Sequence, residues 1–151
     1  MKIADQIAGI AGLYRLGEHA GIFAALLALP LAWALHWLGG FPLLAAATLI
    51  GAAKVWWAAP RTGVPVIADR MVGQWLALWT LSLGLWLMGA APAVFPWPGW
   101  VGGFLLCQLL IVVFDRAGFF RALNPVWDDL AAGLATSLLA VIAAGLSHGW
   151  F

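Results

Sequence analysis

Five long apolar runs, at residues 20–38, 41–59, 71–90, 99–114 and 130–147, dominate this chain, and Lys54 is the one charged side chain inside them. Each run comes close to the roughly 20 residues a helix needs to cross about 30 Å of hydrocarbon, the fourth being the shortest. Backbone groups without partners are prohibitive in lipid, and barrel strands would alternate polar and apolar residues, so runs this continuous read as helices. Only 9% of the residues are charged, against about 25% in an ordinary soluble domain. The expected fold class is therefore all-α: an integral membrane helical bundle of about five transmembrane helices, forming a single domain over residues 1–151.

Ahead of the first run, Ile3, Ile7, Ile10 and Leu13 recur at helical spacing, which predicts a short N-terminal amphipathic helix lying on the membrane surface. Lys2 is followed at once by Asp5 and Gln6, and Arg15, Glu18 and His19 come before the first long run; a cleavable signal peptide has a different order. The single Cys107 excludes an internal disulfide and reads as a small buried hydrophobe. A net charge of +1 gives no basic surface for nucleic acid. No Cys/His metal spacing, glycine-rich phosphate loop or nucleophile elbow occurs.

Threading five helices back and forth puts residues 1–19, 54–70 and 115–129 on one side of the membrane and 39–40, 91–98 and 148–151 on the other. All seven basic and six acidic residues then fall on or near the first side. Because Lys and Arg accumulate on cytoplasmic loops, the N-terminus and both charged loops are expected in the cytoplasm and the C-terminus opposite, with Lys54 snorkelling outward. Trp37, Trp97, Trp100 and Trp150 fall near the outer boundary and Trp56, Trp57 and Trp127 near the inner one, as aromatic belts do. Acids contribute little to orientation, so their concentration on that face has another cause.

Asn124 and Pro125 read as N-cap and first residue of the last helix, with Asp128 and Asp129 in its first turns, where the helix dipole favours negative charge. Capping alone accounts for one aspartate; a second adds repulsion. Asp115 ends the fourth helix, where the dipole disfavours an anion. Asp69 precedes a helix and Glu18 and His19 precede another, so capping competes with chemistry at each, while Asp5 reads as a solvated charge. In a compact bundle Glu18, Asp69, Asp115, Asp128 and Asp129 converge. Gathered carboxylates repel unless a cation joins them, and hard oxygen donors suit Mg²⁺, usually held by one or two carboxylates plus water and substrate phosphates. Arg61, Arg70, Arg116 and Arg121 supply forked donors for phosphate. Acids for a metal and arginines for a phosphate, at the lipid boundary, point to a phospholipid head group as ligand.

These residues resemble the phosphatidylglycerophosphatase A family of bacterial membrane enzymes. AALLALPLAWAL is similar to that family's first membrane helix, ADRMVGQW to its Asp-Glu-x-x-Gly-x-Trp element, VVFD to the Phe-Asp closing its penultimate helix, and WDDLAAG to the Asp-Asp-x-x-Ala-Gly opening its last. The resemblance covers most of the chain in order. It implies a Mg²⁺-dependent phosphatase of the bacterial inner membrane that converts phosphatidylglycerophosphate to phosphatidylglycerol. On that reading Asp69, Asp128 and Asp115 would hold the metal, Asp129 or Glu18 would position or deprotonate the attacking water, and Arg70, Arg116, Arg61 and His19 would bind substrate. Gly73 and Trp75 fall on the family's packing positions. The chain has Asp69-Arg70 where the family has Asp-Glu, and Gly17-Glu18-His19 where it has Pro-Gly-Thr; the Lys-Pro-x-Pro and the glycine-rich lead into Asp-Asp are missing.

Those departures motivate an alternative: a catalytically impaired family member serving as a lipid-binding or structural subunit, with homo-oligomer and larger membrane complex both left open. A transporter fits less well. Mid-helix polar residues are few, namely His36, Thr48, Gln74, Ser82, Gln108 and Thr136. Pro30 is a candidate kink in the first helix, and Gly/Ala patches at 51–53, 102–103 and 131–133 are expected to allow close helix packing.

Overall fold

The computed structural model describes residues 2–91, 94, 96–118 and 126–147, and these form an all-helical bundle. Three helical stretches, Ile10–Arg61, Trp97–Ala117 and Val126–Leu146, are long and apolar enough to cross a membrane. The expected caps Asn124 and Pro125, together with Arg121, lie outside the described residues.

Helix α1 (Ile3–Ala8) is shorter than the isoleucine spacing predicts. Gly9 ends it: a Cβ there would lie 2.5 Å from the Tyr14 ring, and beyond it Ile10–His19 forms tight turns broken by non-helical Ala11, Gly12 and Gly17. Ile3 stays 69% exposed, while Ala4 and Ala8 pack on Ala58. The N-terminal segment therefore folds back onto the bundle instead of running on as one surface helix.

Helix α2 (Ala20–Ala58) holds the first two predicted runs, divided where Gly39 and Gly40 leave helical geometry. Gly40 has φ +65° and ψ −160°, a region essentially reserved for glycine, and Pro42 restarts the helix at a position that suits its fixed φ. Pro30 does not interrupt the first half, whose dihedrals stay helical. That the chain reverses follows from its partners on the third run. Trp75 Nε1 donates to the Ala28 carbonyl (3.1 Å) and His36 Nδ1 lies 2.8 Å from Ser82 Oγ, so residues 20–38 run parallel to residues 68–87. Trp79 Nε1 donates to Thr48 Oγ1 (3.1 Å), and Val55 packs with Ala68 and Val72, so residues 41–58 run antiparallel.

The third run is not continuous. It divides into α3 (Ala68–Ala77) and α4 (Trp79–Leu87) at Leu78, whose N–H bonds the Trp75 carbonyl three residues back. Leu78 itself is buried with Ala32, Leu44 and Trp100 in the central apolar cluster. Neither piece alone is long enough to span. Helix α5 (Trp97–Ala117) runs antiparallel to α3 and α4: Gly99 lies on Leu81, Gly103 on Leu78, and Gln108 donates to Gln74 Oε1 (3.3 Å). Helix α6 (Val126–Ser147) runs parallel to them, with Gly73 against Asp129 at one end and Thr80 Oγ1 2.6 Å from Ser137 Oγ further along. Cys107 is buried among Ala77, Ile111 and Ala132, the hydrophobic role its sequence context predicts.

The mid-helix polar residues find partners inside the bundle: His36 with Ser82, Thr48 with Trp79, Gln74 through its Oε1 with Gln108, and Thr136 with the Ala132 carbonyl at 2.8 Å. Outward faces carry Leu27, Leu31, Leu49, Leu105, Leu109, Leu138 and Ile142, all exposed. Polar groups paired inside and leucine outside is the arrangement that a hydrocarbon solvent favours.

Candidate functional site

The site lies at the end of the bundle where α3 and α6 begin and α5 finishes. Its foundation is the loop leading into α3. Asp5 of α1 accepts hydrogen bonds from Thr62 Oγ1 (2.9 Å) and the Gly63 N–H (3.0 Å), and the Ile67 N–H bonds the Ala8 carbonyl (2.9 Å). These contacts hold the Asp5 carboxyl below its ordinary pKa of 3.8, chiefly through the Gly63 amide and then the Thr62 hydroxyl. Asp5 is a structural anchor and not the freely solvated charge expected; no local sequence signal pairs it with residues 62 and 63.

So anchored, α3 presents Asp69 in its first turn, its Oδ1 accepting the Arg70 N–H at 2.9 Å. The α6 N-terminus presents Asp128 and Asp129, α5 supplies Asp115 near its end, and the turns before α2 supply Glu18. All five acids, with Gly17, Gly21 and Arg70, line a cavity of about 310 Å³. Asp69 and Asp129 are its buried members, each 4% exposed. Asp115 is half-exposed and Glu18 exposed on the rim. The five acids expected to converge from separate helix ends of a compact bundle thus line one cavity.

Two small residues set how closely they approach. A Cβ at Gly73 would collide with the Asp129 carbonyl and one at Gly133 with the Gly73 carbonyl, so α3 and α6 touch backbone to backbone one turn deeper than the acids. The Gly73 packing role and the close-packing patch at 131–133 fit this contact. Trp75 packs as well, through its bond to the Ala28 carbonyl.

Asp69 and Asp129, the buried pair, come from α3 and α6 respectively. Among the described residues, the one basic side chain lining the cavity is Arg70, whose Nε lies 3.0 Å from Asp129 Oδ2 and whose Nη2 lies 3.6 Å from Asp115 Oδ2. Asp129 Oδ1 is buried with no hydrogen-bond partner among the described residues. Among those residues, no three carboxylate, imidazole or thiol side chains group closely enough to hold a metal ion together. The expected trio of Asp69, Asp115 and Asp128 is thus not preassembled, because α5 leaves Asp115 at the rim on Arg70.

The other expected phosphate-binding residues stand apart from the cavity. Arg61 donates to the Trp57 carbonyl (2.6 Å) and its guanidinium sits 5.0 Å from the centre of the Trp57 ring, fixing it at the end of α2. Arg116 is exposed on the last turn of α5. His19 occupies the N-cap position of α2 without a side-chain capping bond. Gly21 is a site residue that sequence reasoning missed: the Arg70 stem passes it, and a Cβ there would meet Arg70 Cγ at 3.4 Å.

Compared with known proteins, the chain matches no family model, no curated protein and no solved structure.

Proposed function

We propose that this chain is a five-pass protein of the bacterial inner membrane that hydrolyses a phospholipid phosphate monoester, phosphatidylglycerophosphate being the substrate its sequence resemblance names. The single observation that carries the reading is the cavity where carboxylates from separate helix ends surround one arginine. The alternating helix directions support five passes, with the reversal at Gly39 and Gly40 making two of them from α2 and the bent α3–α4 pair making the third. The confinement of charge to one end supports placing the cavity in the cytoplasmic leaflet.

The donor set suits Mg²⁺ in the manner of a two-carboxylate site. Asp69 and Asp129 are buried in the wall of the same cavity, and Asp129 Oδ1 lacks a hydrogen bond among the described residues; these two would hold the ion, with water and phosphate oxygens as its other ligands. Bound there, the ion would offset charge on the phosphoryl group and acidify a water. Arg70 would orient the phosphate through its forked donors, and Glu18 on the rim would take the proton from the attacking water. The full chain in detergent is expected to release phosphate from phosphatidylglycerophosphate with Mg²⁺, and Asp129→Asn to abolish release. Turnover indifferent to chelator and to that substitution would end this reading.

A second reading, favoured by the two ion pairs of Arg70 and the lack of a preassembled three-donor group among the described residues, is a catalytically silent relative that binds lipid head groups within a larger membrane complex or homo-oligomer. Folded protein that copurifies with a defined partner and turns over no lipid phosphate would support it; robust turnover would remove it.

A further inference from the structure

Arg70 leaves α3 and meets three other elements at once. Its Nε is 3.0 Å from Asp129 Oδ2 on α6, its Nη2 is 3.6 Å from Asp115 Oδ2 on α5, and its stem lies over Gly21 at the start of α2. The carboxylate it holds is only half satisfied. Asp129 is 4% exposed, and its Oδ1 has no hydrogen-bond partner among the described residues. A buried carboxylate oxygen without donor or counter-charge is costly, so this atom marks where the cavity takes a further positive group. A hard divalent cation supplies one, yet a guanidinium already sits on the other oxygen of the same carboxylate, and two cations there repel.

We propose that Arg70 is a displaceable counter-ion: it occupies Asp129 while the cavity is empty of divalent cation, and transfers its guanidinium to the phosphate when cation and lipid phosphate enter together. This rests on the lipid-phosphate reading of the site. Arg70 is free enough to move, its side chain being 27% exposed. Its fork matches a phosphate better than the single-point contacts it makes to two separate carboxylates. By linkage, the divalent cation and the phosphate bind cooperatively in the native chain, and removing Arg70 both strengthens cation binding in the absence of phosphate and reduces that cooperativity to what direct coordination of the ion by phosphate supplies.

The test is Mn²⁺ binding to the full chain in detergent, read from the EPR signal of free Mn²⁺, with and without a short-chain phosphonate analogue of a lipid phosphate monoester. Arg70→Gln is expected to bind Mn²⁺ more tightly than wild type without the phosphonate, by a factor within about 5 to 150. The phosphonate is expected to tighten Mn²⁺ binding to wild type and to tighten it by a smaller factor in Arg70→Gln, where only direct coordination of the ion by the phosphonate remains. Arg70→Lys, which keeps the charge, should stay near wild type without phosphonate and also serves if the glutamine variant fails to fold, since it should then show weakened cooperativity. Mn²⁺ affinity equal to wild type in folded Arg70→Gln, with binding still lost in Asp129→Asn, overturns this inference and leaves the metal site standing. No Mn²⁺ binding to any folded variant overturns the metal reading and this inference together.

Discussion

Gly73 and Gly133 lie at the backbone-to-backbone contact of α3 with α6: the Gly73 carbonyl fills the space a Cβ on Gly133 would need, and the Asp129 carbonyl fills the space a Cβ on Gly73 would need. Gly73 follows Asp69 by four residues and Gly133 follows Asp129 by four, one helical turn in each case. The closest approach of the two helices therefore lies directly below the two buried carboxylates. Packing and chemistry share one cause: the helices come near enough to confront Asp69 with Asp129 because nothing but hydrogen projects from the turn beneath.

Alanine at either glycine should separate that turn. Because the atoms in the way are main-chain carbonyls and not flexible side-chain ends, the helices themselves must shift, which costs about 1–3 kcal/mol by overpacking. Gly73→Ala and Gly133→Ala should lower the thermal midpoint in detergent and weaken divalent-cation binding together. Gly102→Ala, where an added Cβ meets nothing within 4 Å, should do neither. Equal behaviour of the three variants would show that this contact does not set the site.

The helix-forming runs were legible because lipid as a solvent leaves one solution for a long apolar segment, and the reversal at Gly39 and Gly40 was legible as two adjacent glycines between such runs. The break at Leu78 was not, since no proline or glycine marks it; the residue is taken by the central cluster with Ala32, Leu44 and Trp100. At the site, Asp69, Asp128 and Asp129 announced themselves by position at helix starts. The pairing of Arg70 with Asp129 and Asp115 did not, because it depends on how three helix ends are placed relative to one another. Arg61 and Arg116 were drawn toward phosphate by residue type alone. Their helix ends send them elsewhere, Arg61 onto its own Trp57.

Asp5 predicts a pH effect of definite sign. Hydrogen bonds from the Gly63 amide and the Thr62 hydroxyl lower its folded pKa, so its contribution is present above the unfolded value near 3.9 and disappears as pH falls through the folded one. Below about pH 4 the loop ahead of α3 should loosen. Amide exchange at Gly63 and Ile67 should accelerate on acidification, and Asp5→Ala should show the same acceleration at neutral pH. Protection at those amides that is unchanged by the substitution would remove Asp5 as the anchor.

Gly40 provides the sharpest test of the hairpin in α2. Its φ of +65° with ψ of −160° is strained for any residue bearing a Cβ, and a Cβ there would also lie 2.7 Å from Trp86 Cδ1. Strain of this kind costs about 1–3 kcal/mol, and the indole must move as well. Gly40→Ala should therefore destabilise the protein by at least that much and loosen the contacts at its far end, including the bond between His36 and Ser82. Gly63→Ala, in open space and without positive φ, should be nearly silent. The comparison is made by thermal melting in detergent and by the tryptophan emission spectrum. If Gly40→Ala matches wild type, the chain does not reverse through a left-handed glycine at this point, and the parallel course of residues 20–38 beside α3 and α4 must have another origin.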